Sequence, residues 1–233
     1  MPLLKTRLAV VIAALMLAAA VLAAPPAKAD QADAEELVTE AQFTLKKLQK
    51  HPDLGPYVKA YLKRAKAVLI VPQLLKGGFI VGGEGGTGVL LARDEQGRWS
   101  YPAFYSMGAA SFGLQFGGQA SEVLLLVMTG SGLQAILEDM VKIGGELDGA
   151  AGPYGAGLDA STTTNLNVDI LSYSVAQGLY IGVNFEGSVI LPRDSLNEAY
   201  YGRRLAPEAI VLQGQAGNPH ADLLRDALAD ATR

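Results

Sequence analysis

Residues 77–93 read GGFIVGGEGGTGVLLAR, and residues 98–107 continue as RWSYPAFYSM. Glycine is absent before Gly55 and then crowds the stretch from Gly77 to Gly118, interleaved with aromatic and aliphatic residues such as Phe79, Ile80, Val89, Leu90, Trp99, Tyr105 and Phe112. Short apolar or alternating runs broken by glycine fit antiparallel strands with bulges and tight bends. Strands are expected near 78–83, 87–93, 98–107, 111–118 and 121–128. The string GEGGTG at 83–88 satisfies G-x-G-x-x-G. A dinucleotide fold requires that motif to leave a strand and open a helix, whereas Val89, Leu90 and Leu91 continue as strand. Its glycines are therefore read as a bend between strands.

Upstream, residues 31–50 lack Gly and Pro, and Val38, Ala41, Leu45 and Leu48 recur at helical spacing, which predicts an amphipathic helix ending at His51-Pro52. A second helix opens at Pro56, with Tyr57, Val58, Tyr61, Leu62 and Ala65 on its apolar side and Lys59, Lys63 and Lys66 sharing another face. The run AVLIV at 67–71 reads as a buried strand. Downstream, a helix over 132–142 capped by Ser131 is expected, then strands near 149–157, 165–175, 178–184 and 186–192. Ser195 and Glu198 form an S-x-x-E capping box before a short helix. Pro207 opens another, and Asn218-Pro219 precedes a C-terminal helix carrying Leu223, Leu224 and Leu228. The class is α+β: an antiparallel Gly-rich β-sheet, sandwich or barrel-like, with N-terminal amphipathic helices, one mid-chain helix and a C-terminal helix. Residues 78–93 and 178–193 also align without a gap, sharing Gly78/Gly178, Gly82/Gly182, Val89/Val189, Leu91/Leu191 and Arg93/Arg193, which a duplicated hairpin or shared composition would each explain.

The 233 residues carry a formal charge of −4 and no Cys, which excludes disulfide staples, thiol catalysis and Cys-ligated metal. Lys5 and Arg7 precede an uncharged apolar run from Leu8 to Ala24 and the pattern Ala27-Lys28-Ala29, the layout of a secretory signal peptide. Cleavage after Ala29 and a periplasmic location are expected. The mature chain then has 16 basic against 23 acidic residues, a charge of −7, which argues against nucleic-acid binding. Its charge is segregated. Residues 30–45 hold five acids and no base, whereas Lys46 to Lys76 holds eight bases against Asp53 alone.

No G-x-S-x-G elbow, Walker sequence or H-E-x-x-H occurs, and His51 and His220 each sit beside a proline at a helix boundary, where capping is the common role. Carboxylate pairs such as Glu138 with Asp139, or Glu146 with Asp148, read as surface solvation. No catalytic residue, metal site or cofactor is assigned. The basic segment, made of Lys46, Lys47, Lys50, Lys59, Lys63, Arg64, Lys66 and Lys76, has two readings. Either these groups solvate a helix packed on the sheet, or they attract an anionic bilayer, each contributing roughly 1 kcal/mol near its surface.

The segments AKAVLIVPxxxKGGFIVGGEGGTGVLLAR at 65–93, GRWSYPAF at 97–104, GPYGAGLDA at 152–160 and YSxxxGLYIGVNFEGSVI at 173–190 together resemble the SYLF domain family of lipid-binding proteins. The likeness runs from about Leu37 to Tyr201, so the expected organisation is a signal peptide over 1–29, the domain over 30–205 and a helical extension over 206–233. The resemblance implies non-enzymatic, peripheral binding of anionic lipid through an N-terminal amphipathic helix and basic residues. The counterparts here are the 56–66 helix with Lys59, Lys63, Arg64 and Lys66, together with Lys76. Some eukaryotic members also bind actin, but no SH3 or FYVE pattern lies in these residues, and an exported protein would meet phosphatidylglycerol or cardiolipin rather than phosphoinositides. Two alternatives stand beside it: a protein-interaction or envelope-assembly module using Tyr101, Phe104 and Tyr105, and a carrier enclosing an apolar tail.

Overall fold

Two five-residue runs, Ala67–Val71 (AVLIV) and Val123–Val127 (VLLLV), are apolar at every position and pair antiparallel, Ala67 opposite Val127 and Val71 opposite Val123. Strand side chains alternate between faces, so an unbroken apolar run needs cover on both sides. Val68, Ile70, Leu124 and Leu126 enter one core cluster. Ala67, Leu69, Val71, Val123, Leu125 and Val127 enter a second.

The computed structural model describes residues 30–138, 140–152, 168–181 and 185–233. Strands β1 (Ala67–Ala92) and β2 (Ala103–Val127) form one antiparallel ladder, with register shifts between Val71 and Leu74 and between Gly78 and Ile80. The C-terminal half of β2 pairs with β5 (Ile170–Ala176) and its N-terminal half with β7 (Val189–Pro192). Short strands β3 (Val141–Lys142), β4 (Gly149–Ala151) and β6 (Leu179–Ile181) complete a seven-stranded sheet of order β3-β7-β2-β5-β4, with β1 on β2 and β6 on β5. All of these pairings are antiparallel except β4 with β5. The α+β class with an antiparallel Gly-rich sheet is as expected.

Each of the two long strands joins segments that the sequence reading separates. The AVLIV run, the 78–83 segment and residues 87–92 are all β1, and β2 takes in 103–107, all of 111–118 and 121–127. Bulges and glycines bend a strand without interrupting its ladder. The GEGGTG string lies inside β1 and opens no helix. Strand β1 turns back far enough that the Arg93 N–H donates to the Lys66 carbonyl at 2.8 Å, and the Lys66 N–H donates to Val127 at 2.8 Å. Glycine permits this return: a Cβ on Gly88 would sit 2.3 Å from the Ile70 carbonyl oxygen, and one on Gly86 2.5 Å from that of Gln73. The aligned segments are not two copies of one hairpin: 78–92 lies within a single strand, and the described parts of 178–193 fall on two strands. Strand β6 pairs with β5 and β7 with β2 and β3, whereas 80–90 follows β2 alone.

Helices α1 (Gln31–Lys50), α2 (Gly55–Leu62), α4 (Asp194–Tyr201) and α6 (Asp222–Thr232) cover the first face, and α3 (Gly130–Glu138) and α5 (Pro207–Val211) cover the second. Residues 206–233, read as an extension, contribute Ile210 and Val211 to one cluster and Leu224 and Leu228 to the other. Three local expectations change. Helix α3 starts at Gly130, and the Thr129 hydroxyl, not Ser131, accepts from the Gly132 N–H at 2.9 Å. Residues 141–142 are strand. Ser195 and Glu198 form no capping box, because α4 begins at Asp194. A box does close α1, where Asp30 accepts from the Asp33 N–H at 2.8 Å and Asp33 accepts from the Asp30 N–H at 3.4 Å. Inside α4, the buried Asn197 accepts from the Phe104 N–H at 2.9 Å, tying the helix to β2. The leader read over 1–29, most of the 152–160 motif and parts of the strands expected near 149–157, 165–175 and 178–184 lie outside the described residues.

Gly88→Ala is expected to destabilise the fold by about 3 kcal/mol, because both the Ile70 carbonyl and the Val71 side chain block the new methyl. Gly85→Ala, whose nearest obstruction is 3.8 Å away, should change the chemical-denaturation midpoint little. Burial pushes the phenols of Tyr105, Tyr200 and Tyr201 upward, Asp194 adding to the effect at Tyr105 and Glu35 and Asp222 at Tyr200. Their stabilisation is complete below the unfolded phenol value of about 10 and declines as pH rises beyond it. Difference absorbance should show these three ionising together with the loss of circular dichroism; earlier, independent ionisation would contradict their burial.

Candidate functional site

The basic segment begins on α1, whose charge order follows its dipole, Asp33 in the first turn and Lys47 and Lys50 in the last. Val38, Ala41, Leu45 and Leu48 face the core, which leaves Lys46, Lys47 and Lys50 outside. His51 ends the helix. Its Nδ1 accepts from the Asp53 and Leu54 N–H groups, both at 3.3 Å, and its Nε2 donates to the Gly178 carbonyl at 3.1 Å. The chain then reverses tightly: a Cβ on Gly55 would lie 2.3 Å from the Gln49 carbonyl oxygen. His220 serves a similar local role, its backbone N–H donating to the Asn218 side chain at 3.1 Å and its ring standing 3.4 Å from the Thr39 hydroxyl.

Helix α2 departs from expectation in two ways. It stops at Leu62, so Lys63 and Arg64 occupy a turn and Lys66 enters the sheet through its backbone; Lys59, Lys63 and Lys66 do not share a helical face. Its apolar side is also committed, because Val58, Tyr61 and Leu62 are buried in the first core cluster. The outer surface of α2 shows Pro56, Lys59 and Ala60, which cannot serve as the apolar underside of an interfacial helix.

The eight cations divide by partner. Lys47 meets Glu122 at 2.6 Å. Lys76 stands 4.0 Å from Glu84, which also accepts from the Ser188 hydroxyl at 3.4 Å. Lys63 donates to the Arg233 carbonyl at 2.9 Å, and the Arg64 guanidinium lies 5.9 Å from the centre of the Tyr61 ring. Lys46, Lys50, Lys59, Arg64 and Lys66 are exposed and have no carboxylate within ion-pair range among the described residues. They are spread along residues 46–66, from the end of α1 beside Glu122, past α2, to the start of β1 opposite Val127.

The glutamate partners escaped the sequence reading although a signal for one existed. Glu122 shares strand parity with Leu124 and Leu126, which places it on the face that α1 covers. The aromatic residues of the protein-interaction alternative are largely unavailable: Phe104 and Tyr105 are fully buried, and Tyr101 lies under the Arg225 guanidinium at 4.0 Å. Glu146 accepts from the Lys142 N–H at 2.9 Å, closing a turn.

Among known proteins, the Ysc84 profile, described as Las17-binding protein actin regulator, matches residues 108–231. Protein YSC84 of Saccharomyces cerevisiae is 33% identical over 171 residues, covering 72% of this chain and 36% of the relative. LAS seventeen-binding protein 3 from the same species is 31% identical over 163 residues, 69% and 35% of the two chains. Human SH3 domain-containing YSC84-like protein 1 is 28% identical over 141 residues, 60% and 41% of the two chains. The chain thus spans about a third of the length of the yeast relatives it matches.

Charge reversal separates the two groups of cations. Lys47→Glu, facing Glu122, is expected to cost on the order of 1 kcal/mol, whereas Lys46→Glu or Lys59→Glu should stay within about 0.5 kcal/mol. Thermal unfolding of the three variants reads this out, and equal destabilisation would show that the pairing with Glu122 has no energetic weight.

Proposed function

The chain belongs to the Ysc84 family, the SYLF-domain proteins, and on that footing we propose that it is a non-enzymatic binding module that docks reversibly on anionic lipid through the surface that runs from the end of α1 along α2 to the start of β1. The observation that carries this reading is the set of five exposed cations, Lys46, Lys50, Lys59, Arg64 and Lys66, left without carboxylate partners among the described residues while Lys47 and Lys76 are paired internally. Each cation near an anionic surface is worth roughly 1 kcal/mol. Three or four acting together give weak, salt-sensitive, reversible attachment, since attraction fades over a Debye length of about 8 Å at physiological salt. With the leader read over 1–29, the setting would be the periplasm and the headgroups phosphatidylglycerol or cardiolipin.

A second reading, binding of a protein partner, takes its support from the names of the relatives, which record Las17 binding for the yeast protein. The two are separated by co-sedimentation with vesicles. Pure phosphatidylcholine should leave the chain in solution, and vesicles of equal parts phosphatidylcholine and phosphatidylglycerol should pellet it. Each of Lys50→Gln and Lys59→Gln should weaken partitioning by up to about fivefold. Equal binding to neutral vesicles, or binding that persists in molar salt, would reject the electrostatic mechanism.

A further inference from the structure

Burial of the apolar side of α2 raises the question of which side chain, if any, enters the hydrocarbon boundary. At about 3.6 residues per turn, Phe43 of α1 lies opposite Ala41, Leu45 and Leu48. It is 64% exposed. An aromatic side chain projecting from the outer face of a packed helix contributes little to this fold, and its neighbours are informative. Lys46, Lys47 and Lys50 follow it by three, four and seven residues, within the next two turns. Leu223 of α6, 66% exposed, lies beside α1, its carbonyl accepting from the Gln42 amide at 3.1 Å. Glu36 and Glu40 occupy the preceding turns, so the helix would meet an anionic surface through its C-terminal half.

We infer that Phe43 is the apolar anchor of the docking surface, inserting at the headgroup boundary while Lys46 and Lys50 hold phosphates beside it. This rests on the lipid-docking reading above and deepens it. The occupant is an anionic bilayer because cations flank the ring on its C-terminal side, and an aromatic side chain beside lysines matches the boundary between acyl chains and acidic headgroups.

The test uses the chain from Asp30 onward, without the expected leader, and vesicles of equal parts phosphatidylcholine and phosphatidylglycerol, with brominated phosphatidylcholine as quencher. In Phe43→Trp the new indole should emit at shorter wavelength on vesicle addition and be quenched by the brominated lipid. Native Trp99 is 3% exposed and supplies a constant background. Leu212→Trp, at a position 48% exposed beyond α5 on the opposite side of the sheet, should show neither change. Phe43→Ala should sediment about tenfold more weakly, with unchanged thermal unfolding. If the native chain fails to sediment, the lipid-docking reading falls. If it sediments but the indole introduced by Phe43→Trp is neither shifted nor quenched and Phe43→Ala binds normally, the anchor falls and the electrostatic surface stands. An equal response from Leu212→Trp would also overturn the assignment of α1 as the contact.

Discussion

The β1–β2 ladder, apolar on both faces, is the constraint from which the rest of the structure follows. Leucines and valines at consecutive positions leave no polar face to give to solvent, so the sheet requires a helical layer on each side. Helices from both ends of the chain meet that demand. The N-terminal pair α1 and α2 lies with α4 and the C-terminal α6 on one face, while α3 and α5 close the other. Glycines at 86 and 88 permit the return of β1 over its own beginning, and that return brings Lys66 and Arg93 together.

This demand for cover determines the chemistry of the surface. An amphipathic helix in isolation is free to offer its apolar side to a bilayer, but α1 and α2 have already given theirs to the core. What they retain for a partner is the opposite side, where the charges are. Lys47 is drawn inward by Glu122 on the strand beneath, and Lys76 stands near Glu84 of its own strand. A run of eight cations thereby becomes a smaller exposed group, spread from the end of α1 to the start of β1, with one aromatic ring near its α1 end.

Much of this was legible in the chain. The apolar periodicity of α1, the glycine-punctuated strands, the strand context of GEGGTG and the family likeness all follow from local pattern, because helix and strand periods and glycine's tolerance of close approach act over a few residues. Strand continuity was not, because a bend and a break look alike in sequence while ladder hydrogen bonds distinguish them. The apparent hairpin duplication failed for a related reason, since similar segments can pair with unrelated neighbours.

The amino-acid order determined that this is an α+β protein with a glycine-rich antiparallel sheet, that one segment concentrates its positive charge, and which family it joins. Tertiary structure decided where α2 stops, which lysines remain available and which apolar side chains face outward. The physical reason is range: side-chain periodicity is local, whereas an ion pair such as Lys47 with Glu122 depends on packing that joins residues far apart in the chain. Burial of Val58, Tyr61 and Leu62 against exposure of Phe43 is settled by the same long-range packing.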